Sequence, residues 1–302
     1  MPYTTGIVND MASIRSAIVN TLTAKGWTLT GATLSKGACN ALLAVEGAAL
    51  TLRLGRSVDP DKGKLLNPSP NKAYIREIGN VGLVWPVTYE LFYFDDPIEV
   101  YAVINYAVDC YLWLAFGVAT STGTRGGAWA GGNTGAVGDN PAPGPPRGTT
   151  IGVRDAGADF SNDGSTGTWF TPAGLFWQNY ANEQDWRRPS FIDVGDAWVA
   201  PNAVNPIDTL ITRQPNVWNG ETVPIPIQPY RQLPETKVAM VADLKNARYM
   251  RITNYTPGQI ITLGPDRWKV FPFFRKNASS ADQSNSAQDT GTFGWMIRYD
   301  GP

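Results

Sequence analysis

The clearest periodic pattern of apolar residues lies near the start of the chain. Large apolar side chains recur there at spacings of three and four, which is the signature of a helix with one buried face. Asn9 or Asp10 can cap this helix, and Gly26 can end it. The pattern predicts an amphipathic N-terminal helix that must cover a sheet, through Met11, Ile14, Ile18 and Leu22.

Strict alternation follows the helix. Leu50, Leu52 and Leu54 are separated by polar residues, which predicts a half-buried strand. The next segment, residues 57–73, is rich in Pro, Asn and Lys, and we expect it to form a loop.

Residues 81–119 carry the strongest β signal, because aromatic and β-branched side chains are dense throughout. Asp95, Asp96 and Pro97 mark one turn. We expect at least two strands after this turn, and a helix over Ile98–Val108 is the competing interpretation.

The C-terminal part ends in two further strand patterns. Gly264, Pro265 and Asp266 predict a tight turn between two strands, although the neighbouring basic and aromatic residues also suit a surface for single-stranded nucleic acid. Alternation in a strand favours the core hairpin, because Trp268 and Lys269 fall on opposite faces. The last segment places its large side chains on one face, and its strand could pair within the domain or with a neighbouring copy.

Between these regions lies a segment dominated by glycine and proline. They make up 13 of the 30 residues from Ser121 to Thr150, and such a sequence buries too little apolar surface to offset its ordering entropy. We expect a flexible loop, or an arm that orders against a neighbouring subunit with Trp129 as its anchor.

The fold class expected from these patterns is mainly β (α+β). Sheets in a sandwich or barrel-like arrangement would be joined by one amphipathic N-terminal helix and the long Gly/Pro-rich loop. We divide the chain into residues 1–120, a loop or arm at 121–150, and a β-rich region at 151–302 that could form one domain with the first.

Composition narrows the function classes. Lys and Arg number 25 and Asp and Glu 26, for a formal charge of −1, so no global field favours DNA, RNA or anionic lipid. The longest apolar run, Cys110 to Ala119, is shorter than the roughly 20 residues of a membrane helix. Cys39 and Cys110 fit no paired motif, and we expect both to be small buried side chains, with a disulfide between them as the alternative.

Candidate chemistry is sparse. The chain has no histidine, which removes the commonest general base and most zinc sites. No glycine-rich phosphate loop is present. Paired carboxylates remain as possible catalytic groups, and a glycan hydrolase that uses such a pair is the least favoured hypothesis. We expect no enzymatic activity, no cofactor and no metal ion; the carboxylates are Asp95, Asp96, Asp155, Asp159, Asp163, Glu183 and Asp185.

Four stretches of this sequence resemble virion structural proteins of tailed bacteriophages. They are YELFYFDDPIEVYAVINYAVDCYLWLAFG, PNVWNGETVPIPIQPY, ARYMRITNYTPGQIITLGPDRWKVFPFFRKN and TGTFGWMIRYDGP. The similarity covers most of the chain and is weakest across residues 121–200. The resemblance implies a part of the tail, neck or baseplate, made in the host cytoplasm and located in the virion, with no catalytic residues.

Two site hypotheses follow. As a structural subunit, the protein would bind copies of itself and other phage structural proteins. We expect it to make no membrane contact and no direct, sequence-specific contact with nucleic acid. The interface candidates are Trp129, Arg125, Trp295, Ile297 and Tyr299. The alternative is a receptor-binding or glycan-binding module at the tail tip, in which Trp169, Trp177 and Trp186 would stack on sugars.

Overall fold

The structure is a computed structural model. It describes residues 2–69, 71–75, 83–118, 127–132, 134–137, 191–193, 198–199, 222–228, 230–232, 238–240, 243–272, 276 and 293–302. Within these ranges the chain forms one α-helix and 21 strands, so the prediction of a mainly β protein with an N-terminal helix is confirmed.

The elements are as follows in chain order. The first part contains β1 (Tyr3–Val8), α1 (Met11–Thr23), β2 (Thr28–Thr30), β3 (Thr33–Lys36), β4 (Cys39–Glu46), β5 (Ala49–Val58), β6 (Leu65–Pro68), β7 (Asn71–Ile75), β8 (Val87–Asp95), β9 (Ile98–Ala107) and β10 (Cys110–Val118). The second part contains β11 (Ala128–Gly132), β12 (Thr134–Val137), β13 (Phe191–Asp193), β14 (Trp198–Val199), β15 (Ile225–Ile227), β16 (Tyr230–Gln232), β17 (Val238–Met240), β18 (Leu244–Arg251), β19 (Ile260–Leu263), β20 (Asp266–Pro272) and β21 (Phe293–Arg298).

Helix α1 begins and ends as its sequence predicts. The Asp10 carboxylate accepts a hydrogen bond of 2.6 Å from the Ser13 backbone N–H, which satisfies one of the unpaired donors of the first turn. Gly26 has a φ of 82°, a conformation that turns the chain away from the helix at little cost for glycine. The predicted apolar stripe is buried, and α1 contacts β1 and β8 on one side and β4 and β5 on the other.

The N-terminal sheet has the strand order β12-β7-β5-β4-β3-β2, and β6 also pairs with β5. Strand β5 is the predicted strand of alternating leucines, but it is buried on both faces along its first half, where Thr51 is also buried. The prediction of a half-buried strand is therefore wrong for this part of β5.

The central sheet has the order β1-β8-β9-β10-β11-β13-β14. The predicted turn connects β8 to β9, with Asp95 opposite Ile98. Two strands follow it, so the strand prediction is confirmed and the competing helix over Ile98–Val108 is wrong.

The C-terminal sheet has the order β15-β18-β21-β20-β19. Strands β19 and β20 form the predicted hairpin, in which Leu263 pairs with Asp266. The last strand, β21, pairs with β18 on one side and with β20 on the other. The open question about its partner is thus answered, since β21 pairs within its own chain.

The three sheets stack as layers, and the central sheet is covered on both faces. On one face Leu112, Leu114 and Phe116 of β10 point toward α1 and the N-terminal sheet, where Trp27 meets Phe116 edge-on. On the other face the alternate residues of β10 point toward the C-terminal sheet, where Trp113 meets Trp295. Since residues from Val8 to Tyr299 share one hydrophobic core, the described parts of regions 1–120 and 151–302 pack together.

Two segments interpreted as loops contain strands. Residues 57–73 include all of β6 and the start of β7. Residues 121–150 include β11, which lies inside the central sheet, and β12, which pairs with β7. The description of 121–150 as one flexible arm is therefore wrong for 128–132 and 134–137; most of the remaining positions lie outside the described residues.

Candidate functional site

The layer between the central and C-terminal sheets is built from aromatic rings. Trp295 lies with its ring centroid 5.0 Å from that of Trp113 and 5.7 Å from that of Tyr101. Phe271 lies 5.9 Å from Phe92. Such tilted and edge-on pairs are favourable beyond the area that they bury. This layer also encloses two clusters of charged and polar side chains, and these are the most unusual chemical groups among the described residues.

The first cluster surrounds Glu99 of β9, which is only 1% exposed. Its Oε1 accepts a hydrogen bond of 2.8 Å from the backbone N–H of Lys245, at the start of β18. Its Oε2 accepts three more, from the backbone N–H of Asn246 at 2.9 Å, from Asn246 Nδ2 at 2.9 Å and from the Tyr101 hydroxyl at 2.8 Å. Both carboxyl oxygens are therefore satisfied, and three of the four donors belong to the opposite sheet.

Burial sets the electrostatics of this cluster. Removal from water raises the pKa of the Glu99 carboxyl above its ordinary value of 4.5, because the charged form loses its hydration. The hydrogen bonds from Lys245, Tyr101 and Asn246 act in the opposite direction, since they favour the charged form. Burial also raises the pKa of Tyr101, and the adjacent Glu99 adds to this effect.

The second cluster lies nearer the edge of the central sheet. Lys269 of β20 forms an ion pair with Glu90 of β8, and Tyr3 of β1 donates a hydrogen bond of 2.8 Å to the same carboxylate oxygen. The Lys269 and Glu90 side chains are 15% and 17% exposed. Burial, followed by the charge of Glu90, raises the pKa of the Tyr3 hydroxyl, so this group stays a donor.

Three aromatic rings surround the Lys269 ammonium group. Its nitrogen lies 5.5 Å from the ring centroid of Tyr3, 5.4 Å from that of Tyr299 and 5.9 Å from that of Phe271. Cations are attracted to the faces of aromatic rings within about 6 Å. Lys269 therefore interacts at once with an acid of the central sheet and with rings of both layers.

Chemically, both clusters join layers. Glu99 and Glu90 of the central sheet are each paired with groups from the C-terminal sheet. Within the described ranges no group of three or more Cys, Asp or Glu side chains is placed to hold a metal ion.

The structure places four predicted interface residues in the interior. Trp129, Trp295 and Ile297 have no exposed surface, and Tyr299 is 4% exposed. Trp129 lies in β11 with its ring 6.0 Å from that of Tyr101. The prediction that these side chains contact a neighbouring copy is wrong, because the chain's own sheets cover them. Arg125, Trp169, Trp177 and Trp186 lie outside the described residues.

The proposed nucleic-acid platform also becomes part of the core. Trp268 is 6% exposed and Phe271 is fully buried, and Lys269 pairs with Glu90 across the sheets. The preferred interpretation as a hairpin is confirmed, and β20 belongs to the core, whereas β19 is mostly exposed. Both cysteines are buried thiols that are not joined in a disulfide, so the prediction of small buried side chains is confirmed.

Sequence reasoning missed Glu90, Glu99 and Asn246. Glu90 and Glu99 stand in strands rich in aromatic and β-branched residues, and a charged residue within such a run was the available signal. Asn246 lies between Lys245 and Ala247 and carries no such signal. The partners of Glu99 could not be found from the sequence alone, since Glu99 and Asn246 are 147 positions apart.

The comparisons with known proteins give no family assignment. The sequence matches no protein-family model, and no curated protein is significantly similar to it. In the described part of the chain, no helix combines the length and the apolar character needed to cross a bilayer.

Proposed function

We propose that this protein is a non-enzymatic structural component of a tailed bacteriophage virion, from the tail, neck or baseplate. It would act by binding copies of itself and other virion proteins. The resemblance of four sequence stretches supports this proposal, and the first of them covers β9 and most of β8 and β10 in the central sheet.

The observation that carries the proposal is the use of the buried acidic groups. Glu90 and Glu99 each bind groups of the C-terminal sheet across an aromatic layer. A catalytic acid needs access to a substrate, whereas these carboxylates are nearly enclosed and already occupied by donors. Groups used in this way favour a rigid scaffold over an active site.

Mass spectrometry of purified phage particles tests the location. The expected result is that peptides of this chain co-purify with the particles at a copy number of several per virion. Their presence only in the lysate, and never in purified particles, would overturn the proposal.

Light scattering after size exclusion tests self-assembly. We expect an oligomer in solution, or a monomer that appears as a symmetric ring in electron micrographs of the particle. A glycan array tests the alternative of a receptor-binding module, for which binding that disappears in a triple Trp169→Ala, Trp177→Ala and Trp186→Ala variant is the expected signal.

A further inference from the structure

We propose that Glu99 is a proton-linked latch between the central and C-terminal sheets, so that local separation of β18 from β9 is coupled to release of a proton. This inference goes beyond the structural role proposed above and does not depend on it. It rests on the geometry of the Glu99 cluster.

The first step is the division of the donors between the two sheets. Tyr101 belongs to β9, like Glu99 itself, and stays with the carboxyl group when the sheets separate. The two backbone N–H groups of Lys245 and Asn246 and the Asn246 side chain belong to β18 and are lost together. Opening at this point therefore transfers the carboxyl group from a buried site to water in a single event.

The second step is the ability of the cluster to hold a proton. A proton on Oε2 needs an acceptor, and the other groups on that oxygen are N–H donors. The Tyr101 hydroxyl is the exception, because a hydroxyl both donates and accepts. It lies 2.8 Å from Oε2 and can rotate to accept the proton. The closed latch thus accommodates both the charged and the neutral form.

The third step concerns the charges around the site. Lys245 directs its ammonium group to Asp243, and Arg248 donates to the backbone carbonyls of Leu244, Lys245 and Ala247. Across the ladders of the central sheet, the neighbours of Glu99 are Phe94 and Gly117, which do not titrate. In the described part of the chain no cation forms an ion pair with Glu99. The rise in its pKa that burial causes is therefore opposed by hydrogen bonds from neutral donors and not by a paired charge.

The direction of the coupling follows from burial. Burial raises the pKa of Glu99 in the closed state, whereas the open state has the ordinary value of 4.5. The closed state therefore binds the proton more tightly, and closure is strongest below the ordinary pKa. As the pH rises through the window between the two pKa values, opening becomes easier by up to about tenfold per pH unit, and above the raised pKa it no longer changes.

Hydrogen exchange of the Lys245 and Asn246 backbone amides tests the latch. Protection factors, which remove the intrinsic pH dependence of exchange, would be measured from about pH 4 to pH 8, a range that starts near the ordinary carboxyl pKa. The expected result is that protection of these two amides falls as the pH rises and then levels off. Amides of β4 and β5 in the N-terminal sheet are the internal reference, and their protection should exceed that of the two amides at every pH, because opening at β18 is local.

Two variants separate the latch from a simple structural contact. Glu99→Gln has no titrating group, so protection of the two amides should be lower and should not depend on pH. Tyr101→Phe keeps the carboxyl group but removes a hydrogen bond that favours its charged form, so the fall in protection should move to higher pH. If Glu99→Gln does not fold, the wild-type series and Tyr101→Phe still decide the question.

The carboxyl ¹³C shift of Glu99 gives its pKa directly in the intact protein. A pKa above the ordinary value, together with the falling protection, supports the latch. Protection that is independent of pH in the wild-type protein, or that increases with pH, would overturn it, because Glu99 would then be charged throughout and held by its four donors.

Discussion

Trp113 of the central sheet and Trp295 of the C-terminal sheet lie with their ring centroids 5.0 Å apart and their planes at 51°. Both side chains are fully buried, and they are among the largest enclosed side chains in the described residues. The described strands of the two sheets share no backbone ladder there. Their adhesion at this point therefore depends on side chains alone.

Replacing Trp295 by alanine should remove much of this adhesion. We expect Trp295→Ala to lower the free energy of unfolding by about 3–5 kcal/mol, since a large buried ring leaves a cavity. Urea unfolding followed by circular dichroism measures the change. Val108→Ala is the control, because Val108 is 90% exposed and should shift stability by less than about 0.5 kcal/mol. A loss below about 1 kcal/mol for Trp295→Ala would contradict the described packing.

The Glu90–Lys269 ion pair should be worth more than an exposed pair. A double-mutant cycle with Glu90→Gln and Lys269→Met should give a coupling energy of about 1–3 kcal/mol, because both groups are mostly removed from water. The control cycle uses Lys36 and Asp95, whose side chains are 22% and 68% exposed, and should give less than about 1 kcal/mol. Equal coupling energies in the two cycles would mean that burial does not strengthen the first pair.

Gly117 should tolerate no side chain, because a Cβ at this position would lie 2.2 Å from the carbonyl oxygen of Ile98. We expect Gly117→Ala to destabilise the protein by about 2–4 kcal/mol. Gly47→Ala is the comparison, since Gly47 has a φ of 60° but open space around it, and it should cost about 1–2 kcal/mol from backbone strain alone. Thermal unfolding of both variants shows which replacement destabilises the protein more. A smaller loss of stability for Gly117→Ala than for Gly47→Ala would be inconsistent with the close approach of β9 and β10.

Alkaline pH should destabilise the fold through its buried tyrosines. Burial raises the pKa of Tyr111 to about 12 and also raises the pKa values of Tyr3 and Tyr101 above the ordinary 10.0. The folded state therefore holds protons that the unfolded state releases, so stability is retained below pH 10 and falls above it. Phenolate absorbance during titration checks this, and ionisation of all tyrosines near pH 10 in the folded protein would contradict it.

Both thiols should be unreactive in the folded protein. Cys39 has no exposed surface and burial raises its pKa, while Cys110 is 3% exposed. Since the thiolate is the reactive form, a thiol reagent at mildly alkaline pH should modify neither cysteine until denaturant is added. Unfolding should then release two reactive groups per chain. Rapid modification without denaturant would show that one of these sites opens locally.

The elements that sequence reasoning identified are those whose local signals agree with their packing. Helix α1 has a cap, an apolar stripe and a terminating glycine, and the β19–β20 hairpin has a turn sequence between two strands. Each of these can be predicted because its information lies within a few neighbouring residues.

The missed strands have a physical reason. In β11, Gly132 was interpreted as part of a loop, but a Cβ there would come within 3.3 Å of Ala73 and Leu114. Glycine lets the central and N-terminal sheets approach closely at this point, so packing favours a residue that weakens strand propensity. Close approach between distant strands cannot be seen in a local pattern, and the same holds for the partners of Glu90 and Glu99.

The position of the central sheet between the two outer layers also affects how the protein unfolds. Strands β9 and β10 supply the surface on which both outer layers rest, and residues of all three sheets share one large core. Among the described residues, the separate cluster within the C-terminal sheet has only five buried members. Loss of β9 or β10 would remove the support of both layers at once. The described layers should therefore unfold cooperatively, in one transition, even though they come from opposite ends of the chain.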